Sequence, residues 1–203
     1  MVSEELLALF AETEIFIFVF MEIITKIKTF QRVIIKKAAW RDTLIFLLIF
    51  GGFSIFGTYV GIQLPSGAIS NIRDLGPMIA GLVAGPLAGL GAGLIGGVHR
   101  YFLGGFTSIP CGLATVLAGL IGGAVFRLNR GKLINVFQGM ILAVLIECVH
   151  GGLTILLARP FSEALEVLKT AIPAMIVANS LGMAISIVII NNSLELTKSR
   201  QLD

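Results

Sequence analysis

"GPMIAGLVAGPLAGLGAGLIGGVHRYFLGG", residues 76–105, decides how this chain is folded. As a single membrane span it delivers His99 and Arg100 to one side of the bilayer. Broken at Gly85–Pro86, it delivers them to the other. Proline lacks a backbone donor and disfavours helix in the residue before it. The pair therefore predicts a short helix over residues 74–84, a tight turn, and a second helix over 86–102. Loop charge points the same way. With one span, Arg127, Arg130, Lys132, Lys198 and Arg200 all fall outside, against the positive-inside rule. With the hairpin they fall inside.

Composition fixes the class. Of 203 residues, 56% are hydrophobic and 13% charged, and the mean hydropathy is +0.97. A soluble domain of this size has no interior for that much apolar surface. The reading is all-α: a polytopic transmembrane helical bundle of six to seven helical segments. Glu4 and Glu5 ahead of the first apolar run speak against a cleaved signal peptide. The sequence pI of about 9.1 comes from loop lysines and arginines. It bears on topology and lipid contact, not on nucleic acid. Cys111 and Cys148 have no metal-binding spacing, and no catalytic triad, phosphate loop or cofactor motif is present. No catalytic residue, metal or cofactor is expected.

The remaining segments follow from hydropathy. Residues 6–24 form a first apolar stretch interrupted by Glu12, Glu14 and Glu22. Six basic residues between Lys26 and Arg41, with Trp40 beside them, mark a cytoplasmic loop. Spans are expected at 43–61, 110–127, 133–157 and 171–191, with 158–170 as an outer loop. The N-terminus is then outside and the C-terminus inside. The whole chain, 1–203, reads as one membrane-embedded domain. Residues 1–42 are a first helix and basic loop, 43–191 a ligand-binding core, and 192–203 the start of a signalling tail.

Within the hairpin, Gly81, Gly85, Gly89, Gly93 and Gly97 recur every four residues, a spacing that lets membrane helices pack closely. Arg100 follows Gly97 by three, shares that face, and points into the bundle. Arg73 precedes a helix opened by Asp74 and Pro77, and Cys111 follows Pro110 at the start of the next span. Two helix N-termini and two guanidinium groups thus converge, which suits an anion. Thr115 lies one turn below Cys111 and offers a hydroxyl. Arg73, Arg100, Cys111 and Thr115 are the candidate ligand residues. Asn71, His99, Thr107, Glu147, His150 and Asn179 are secondary candidates. His99 is expected to face elsewhere. Glu147 either floors the pocket or pairs with Asn179.

Three stretches, "GTYVGI" (57–62), "GAISNIRDLGPMIAGLVAGPLAGLGAGLIGGVHRYFLGGFTSIPCG" (67–112) and "IPAMIVANSLG" (172–182), resemble the LytS/YhcK-type sensor domain, the five-transmembrane receptor module. That resemblance implies a receptor for a small extracellular metabolite, pyruvate among them, joined to a cytoplasmic histidine kinase or cyclase. It implies a ligand site at Arg73, Arg100 and Cys111, with a serine three residues after the cysteine. That fourth position is Ala114 here, and Thr115 is the neighbouring substitute. A homodimer is expected, its tail bearing Leu194, Leu196 and Leu202. The alternative is the substrate-binding subunit of an energy-coupling-factor vitamin transporter, which the last six helices also resemble.

Overall fold

Eight helices make up the described part of the chain, residues 2–63 and 69–200 of a computed structural model. They are α1 (Val2–Ile24), α2 (Lys28–Ile34), α3 (Trp40–Tyr59), α4 (Leu75–Ala84), α5 (Pro86–Phe102), α6 (Ser108–Leu128), α7 (Val136–Leu157) and α8 (Phe161–Ser199). Between α3 and α4 a small antiparallel pair, β1 (Ile62–Gln63) and β2 (Ile69–Ser70), places Ile62 opposite Ser70. Gly67, Ala68 and Leu202 lie outside the described residues.

The break at Gly85–Pro86 falls where the sequence puts it. Gly85 has φ +92°, a conformation that costs an L side chain, and Pro86 opens α5. The two helices then lie against each other, since a Cβ on Gly89 would stand 2.7 Å from Gly81 Cα. α6 packs on both. Its Gly119 meets the Gly89 carbonyl, and its Gly122 meets Met78 O at 2.5 Å from an added Cβ.

α3, α6, α7 and α8 are long and apolar enough to cross a membrane, whereas α4 has ten residues and falls short of a bilayer core of about 30 Å. Outward side chains on α5, α6 and α7 are apolar: Phe102, Leu128 and Phe137 are all strongly exposed. That suits lipid and not water. The molecule is a multi-pass membrane domain.

Two expectations need correction. The basic stretch 26–41 is not all loop: Lys28–Ile34 forms α2, with Phe30, Val33 and Ile34 buried at helical spacing. Arg32 of α2 pairs with Asp42 of α3, its Nε 2.9 Å from Oδ2. Residues 158–170 are likewise mostly helical, because α8 runs unbroken from Phe161 through Pro173 to Ser199. Ala164, Val167 and Ala171 are buried, and Leu168 and Ile172 of this first part of α8 lie against Gly151 of α7. Pro173 is accommodated inside the helix, as membrane helices allow.

An aromatic ladder docks α1 on α3. Phe16 stacks on Phe56 at 4.3 Å between ring centroids, and Phe20 meets Phe53 at 4.6 Å. α1 also touches α8, where Ile17 lies against Gly182. α7 opens with a reciprocal cap: Asn135 Oδ1 accepts from Gln138 N at 2.9 Å and Gln138 Oε1 accepts from Asn135 N at 3.2 Å.

Candidate functional site

Short apolar α4 brings its first residues deep into the bundle, so the Arg73–Asp74 pair ahead of it is carried out of solvent. Both side chains are fully buried. An Asx turn shapes the approach: Arg73 N donates to Asn71 Oδ1 at 3.1 Å. The Arg73 Nε then donates to Thr115 Oγ1 at 2.8 Å, and the Thr115 hydroxyl donates to Asp74 Oδ1 at 2.6 Å. One hydroxyl thus fixes both members of a charged pair.

From Asp74 the polar chain continues through α7 to α8. His150 Nδ1 stands 2.9 Å from Asp74 Oδ2 and 3.5 Å from Glu147 Oε2. Its other nitrogen, Nε2, is 3.2 Å from Cys111 Sγ. Glu147 Oε1 accepts from Asn179 Nδ2 at 2.8 Å, and the same amide lies 3.4 Å from Asn71 O. Glu147 and His150 share a face because they are three residues apart on α7. Glu147 therefore pairs with Asn179, one of its two expected roles, and lies within electrostatic reach of Arg73.

Arg100 comes from the last turn of α5 and is 3% exposed. Its Nη1 donates to Gly104 O at 2.7 Å and its Nη2 to Thr107 Oγ1 at 2.9 Å, so it braces the turn from α5 into α6. Cys111, in the first turn of α6, is within electrostatic reach of His150, Arg73 and Arg100. Four of the primary and secondary candidates on α6 and α7 therefore meet where Arg73 ends. His99 is tethered separately: its Nε2 is 3.1 Å from Tyr59 Oη on α3, while its Nδ1 is buried without a hydrogen-bond partner and Arg73 and Arg100 lie within electrostatic reach of the ring. Ala114 is buried and brings no polar atom, while the Thr115 hydroxyl is already committed to Arg73 and Asp74.

Asp74 is the member that sequence reasoning missed. It stands at the N-cap position of α4 but makes no side-chain cap, because its carboxylate is turned into the bundle. A signal for it exists in the sequence: a carboxylate beside an arginine at the head of an apolar helix needs partners if both are buried.

Several buried donors and acceptors in the cluster lack a hydrogen-bond partner. They include Arg73 Nη1 and Nη2, Arg100 Nε and Asn179 Oδ1. Asp74, Glu147 and His150 have ligand atoms within 4.8 Å of one another, a spacing open to a metal ion. The Arg73 guanidinium beside Asp74 opposes a cation there. For an anion it supplies two free, parallel N–H edges.

Residues 27–193 match the family model described as 5TMR of 5TMR-LYT. The chain is 32% identical to the sensor histidine kinase BtsS of Escherichia coli K12 over 143 residues, 68% of this chain and 25% of that protein. It is 30% identical to the sensor protein LytS of Bacillus cereus over 177 residues, 79% of this chain and 30% of the relative. It is also 30% identical to LytS of Bacillus subtilis over 185 residues, 83% of this chain and 31% of the relative. The chain thus spans between a quarter and a third of the length of these relatives. No solved structure matches it.

Proposed function

Since this chain belongs to the 5TMR-LYT family of membrane sensor domains, we propose that it receives a small carboxylate, a 2-oxo or hydroxy acid such as pyruvate, at Arg73. One observation carries the reading. Arg73 is fully buried, its Nε is held by Thr115, and both terminal nitrogens are without a partner. Leaving charged donors unsatisfied in a buried site is costly. A carboxylate laid edge-on to the two Nη groups would satisfy both at once, as a planar fork does and an ammonium does not.

In this reading Arg100 shapes the same pocket by bracing the 104–107 turn and offers its remaining N–H groups, and Cys111 contacts the second oxygen of the ligand. Thr115 holds Arg73 in aim. The ligand enters from outside, with the N-terminus outside and the C-terminus in the cytoplasm. α8 carries the signal toward a kinase or cyclase output, and two chains pair along it. The names of the relatives, sensor histidine kinase and sensor protein, support the signalling part.

The test is pyruvate binding to the chain in sealed right-side-out vesicles, with helix content checked in parallel. Charge-assisted hydrogen bonds contribute about 1.5–3 kcal/mol each, so Arg73→Ala should weaken binding about tenfold to a hundredfold. Arg73→Lys should recover only part of the loss, and Cys111→Ser should cost less than either arginine change. Equal affinity of wild type, Arg73→Ala and Arg100→Ala would end the proposal. Binding of a neutral vitamin in place of a carboxylate would move the assignment to a transporter subunit.

A further inference from the structure

The far end of α4 from Arg73 opens on a different feature. Leu82 and Val83, in the last turn of α4, line a cavity of about 580 Å³ together with the end of α2, the α6–α7 connection and α8. One part of its wall is apolar, with Ile34, Leu133, Ile190 and Leu194. The other carries three lysines from three separate segments: Lys36 after α2, Lys132 between α6 and α7, and Lys198 near the end of α8. Among the described residues no Asp or Glu lines it; Glu195 is on the exposed side of α8.

Lys36 is held there by more than chance of sequence. Lys36 has φ +61° and Arg130, beside the cavity-lining Gly131, has φ +52°. Among the described residues these are the two non-glycine positions in the left-handed region, a conformation with a steric cost for L side chains. The Lys36 ammonium lies 4.3 Å from the Phe126 ring centroid and donates to Val83 O at 3.3 Å. That leaves it two N–H groups to offer. Partial burial lowers the Lys36 pKa from its ordinary value, a cost that a bound anion would offset.

We propose that this cavity binds the headgroup of an anionic phospholipid, its phosphate among Lys36, Lys132 and Lys198 and its acyl chains along the apolar wall. Charge and shape select that occupant. The cavity is lined by the last turn of α4, the α6–α7 connection and the last turns of α8, and α6, α7 and α8 are long and apolar enough to cross a membrane, so it sits where these helices end. A dissolved phosphate would satisfy the lysines and leave the apolar wall uncovered. A neutral lipid would do the reverse. Basic pockets between membrane helices hold anionic headgroups by this combination. Because α8 supplies Ile190, Leu194 and Lys198, lipid bound there touches the helix proposed to carry the signal, yet the lipid site is independent of the ligand site at Arg73.

The experiment is native mass spectrometry of the detergent-purified chain after exchange into nanodiscs of phosphatidylglycerol or of phosphatidylcholine, followed by release. Wild type should retain phosphatidylglycerol at one per chain and shed phosphatidylcholine, and millimolar inorganic phosphate should not displace the lipid. The variant Lys36→Gln/Lys132→Gln/Lys198→Gln should bind phosphatidylglycerol about a hundredfold more weakly, and Lys132→Gln, on an exposed turn, about fivefold, at about one surface-lysine contribution each. Equal retention by wild type and Lys132→Gln would overturn the proposal, even if the triple variant failed to fold. Equal retention of the two lipids would overturn it as well. Full displacement by phosphate would make the site one for a free anion. Protection of Lys132 from amine labelling that rises with protein concentration, whatever the lipid, would assign the cavity to a second copy of the chain.

Discussion

Two seams meet on α6, and they are built from opposite materials. Toward α4 and α5 the contact is backbone on backbone. Gly97 faces Gly112 O, Gly93 faces Thr115 O, and Gly89 and Gly119 face each other's carbonyls. Toward α7 the contact is polar side chain on polar side chain, from Thr115 and Cys111 through Asp74 to His150, Glu147 and Asn179. The first seam has almost no chemistry and fixes distance. The second has almost all the chemistry and depends on that distance. Gly93 shows the link, since an added Cβ there would stand 2.9 Å from Thr115 O. A bare backbone on α5 is what lets Thr115 sit deep enough to hold Arg73.

The polar seam should be the more fragile of the two under single substitution. Asp74→Ala removes one of the two acceptors of Thr115 and the carboxylate nearest both Arg73 and His150. An uncompensated guanidinium then remains in a fully buried place. Losing one partner of a buried pair costs about 3–5 kcal/mol. Thermal unfolding in detergent should rank this variant below any single glycine-to-alanine change on the α5–α6 seam, with Asp74→Asn milder because it keeps an acceptor for Thr115. A loss below about 1 kcal/mol, the scale of an ordinary hydrogen bond, would mean that the buried cluster does not act as one electrostatic unit.

On the glycine seam the smallest possible addition is the informative one. Gly89→Ala places a methyl against Gly119 O and 2.7 Å from Gly81 Cα. Both neighbours are backbone, so neither yields by a rotamer change. Overpacking of this kind costs about 1–3 kcal/mol, and the same unfolding measurement should place Gly89→Ala below wild type and above Asp74→Ala. Wild-type stability would show that α5 and α6 slide apart freely, and that the seam does not set the position of Thr115.

The two seams were unequally legible in the sequence. A four-residue glycine period and a Gly–Pro break are local signals, and they gave α4 and α5 to within a residue: 74–84 and 86–102 expected, Leu75–Ala84 and Pro86–Phe102 observed. The polar seam joins residues 41 positions apart (Thr115 and Asp74), 39 apart (His150 and Cys111) and 32 apart (Asn179 and Glu147). Each of those residues announces itself as costly in an apolar segment, but none names its partner. Arg73, Arg100, Cys111 and Thr115 could be gathered on one side by topology. Asp74 reads as a helix opener because that role is local. α2 and the first turns of α8 were hidden for a related reason. Their charged residues, Arg32 in one and Glu163, Glu166 and Lys169 in the other, look like loop until the buried positions between them are counted.

The smallest effect is expected at neighbouring glycines on α7, and it separates packing from propensity. Gly151 is buried, and an added Cβ would stand 2.8 Å from Leu168 Cδ1. That atom is the far end of a flexible side chain, unlike the backbone that surrounds Gly89, so a rotamer change in Leu168 absorbs most of the clash. Gly152 is exposed and has nothing within 4 Å. There a methyl meets no resistance, and alanine replaces glycine in a helix interior, where glycine is disfavoured by about 1 kcal/mol. Gly152→Ala should therefore unfold at or slightly above the wild-type temperature, with Gly151→Ala slightly below it. Both should bind pyruvate like wild type, because neither reaches the polar cluster. If Gly152→Ala instead destabilised the chain as much as Gly89→Ala, the lipid-facing side of α7 would be a packed interface, and the partner covering it would have to be a second chain or another protein.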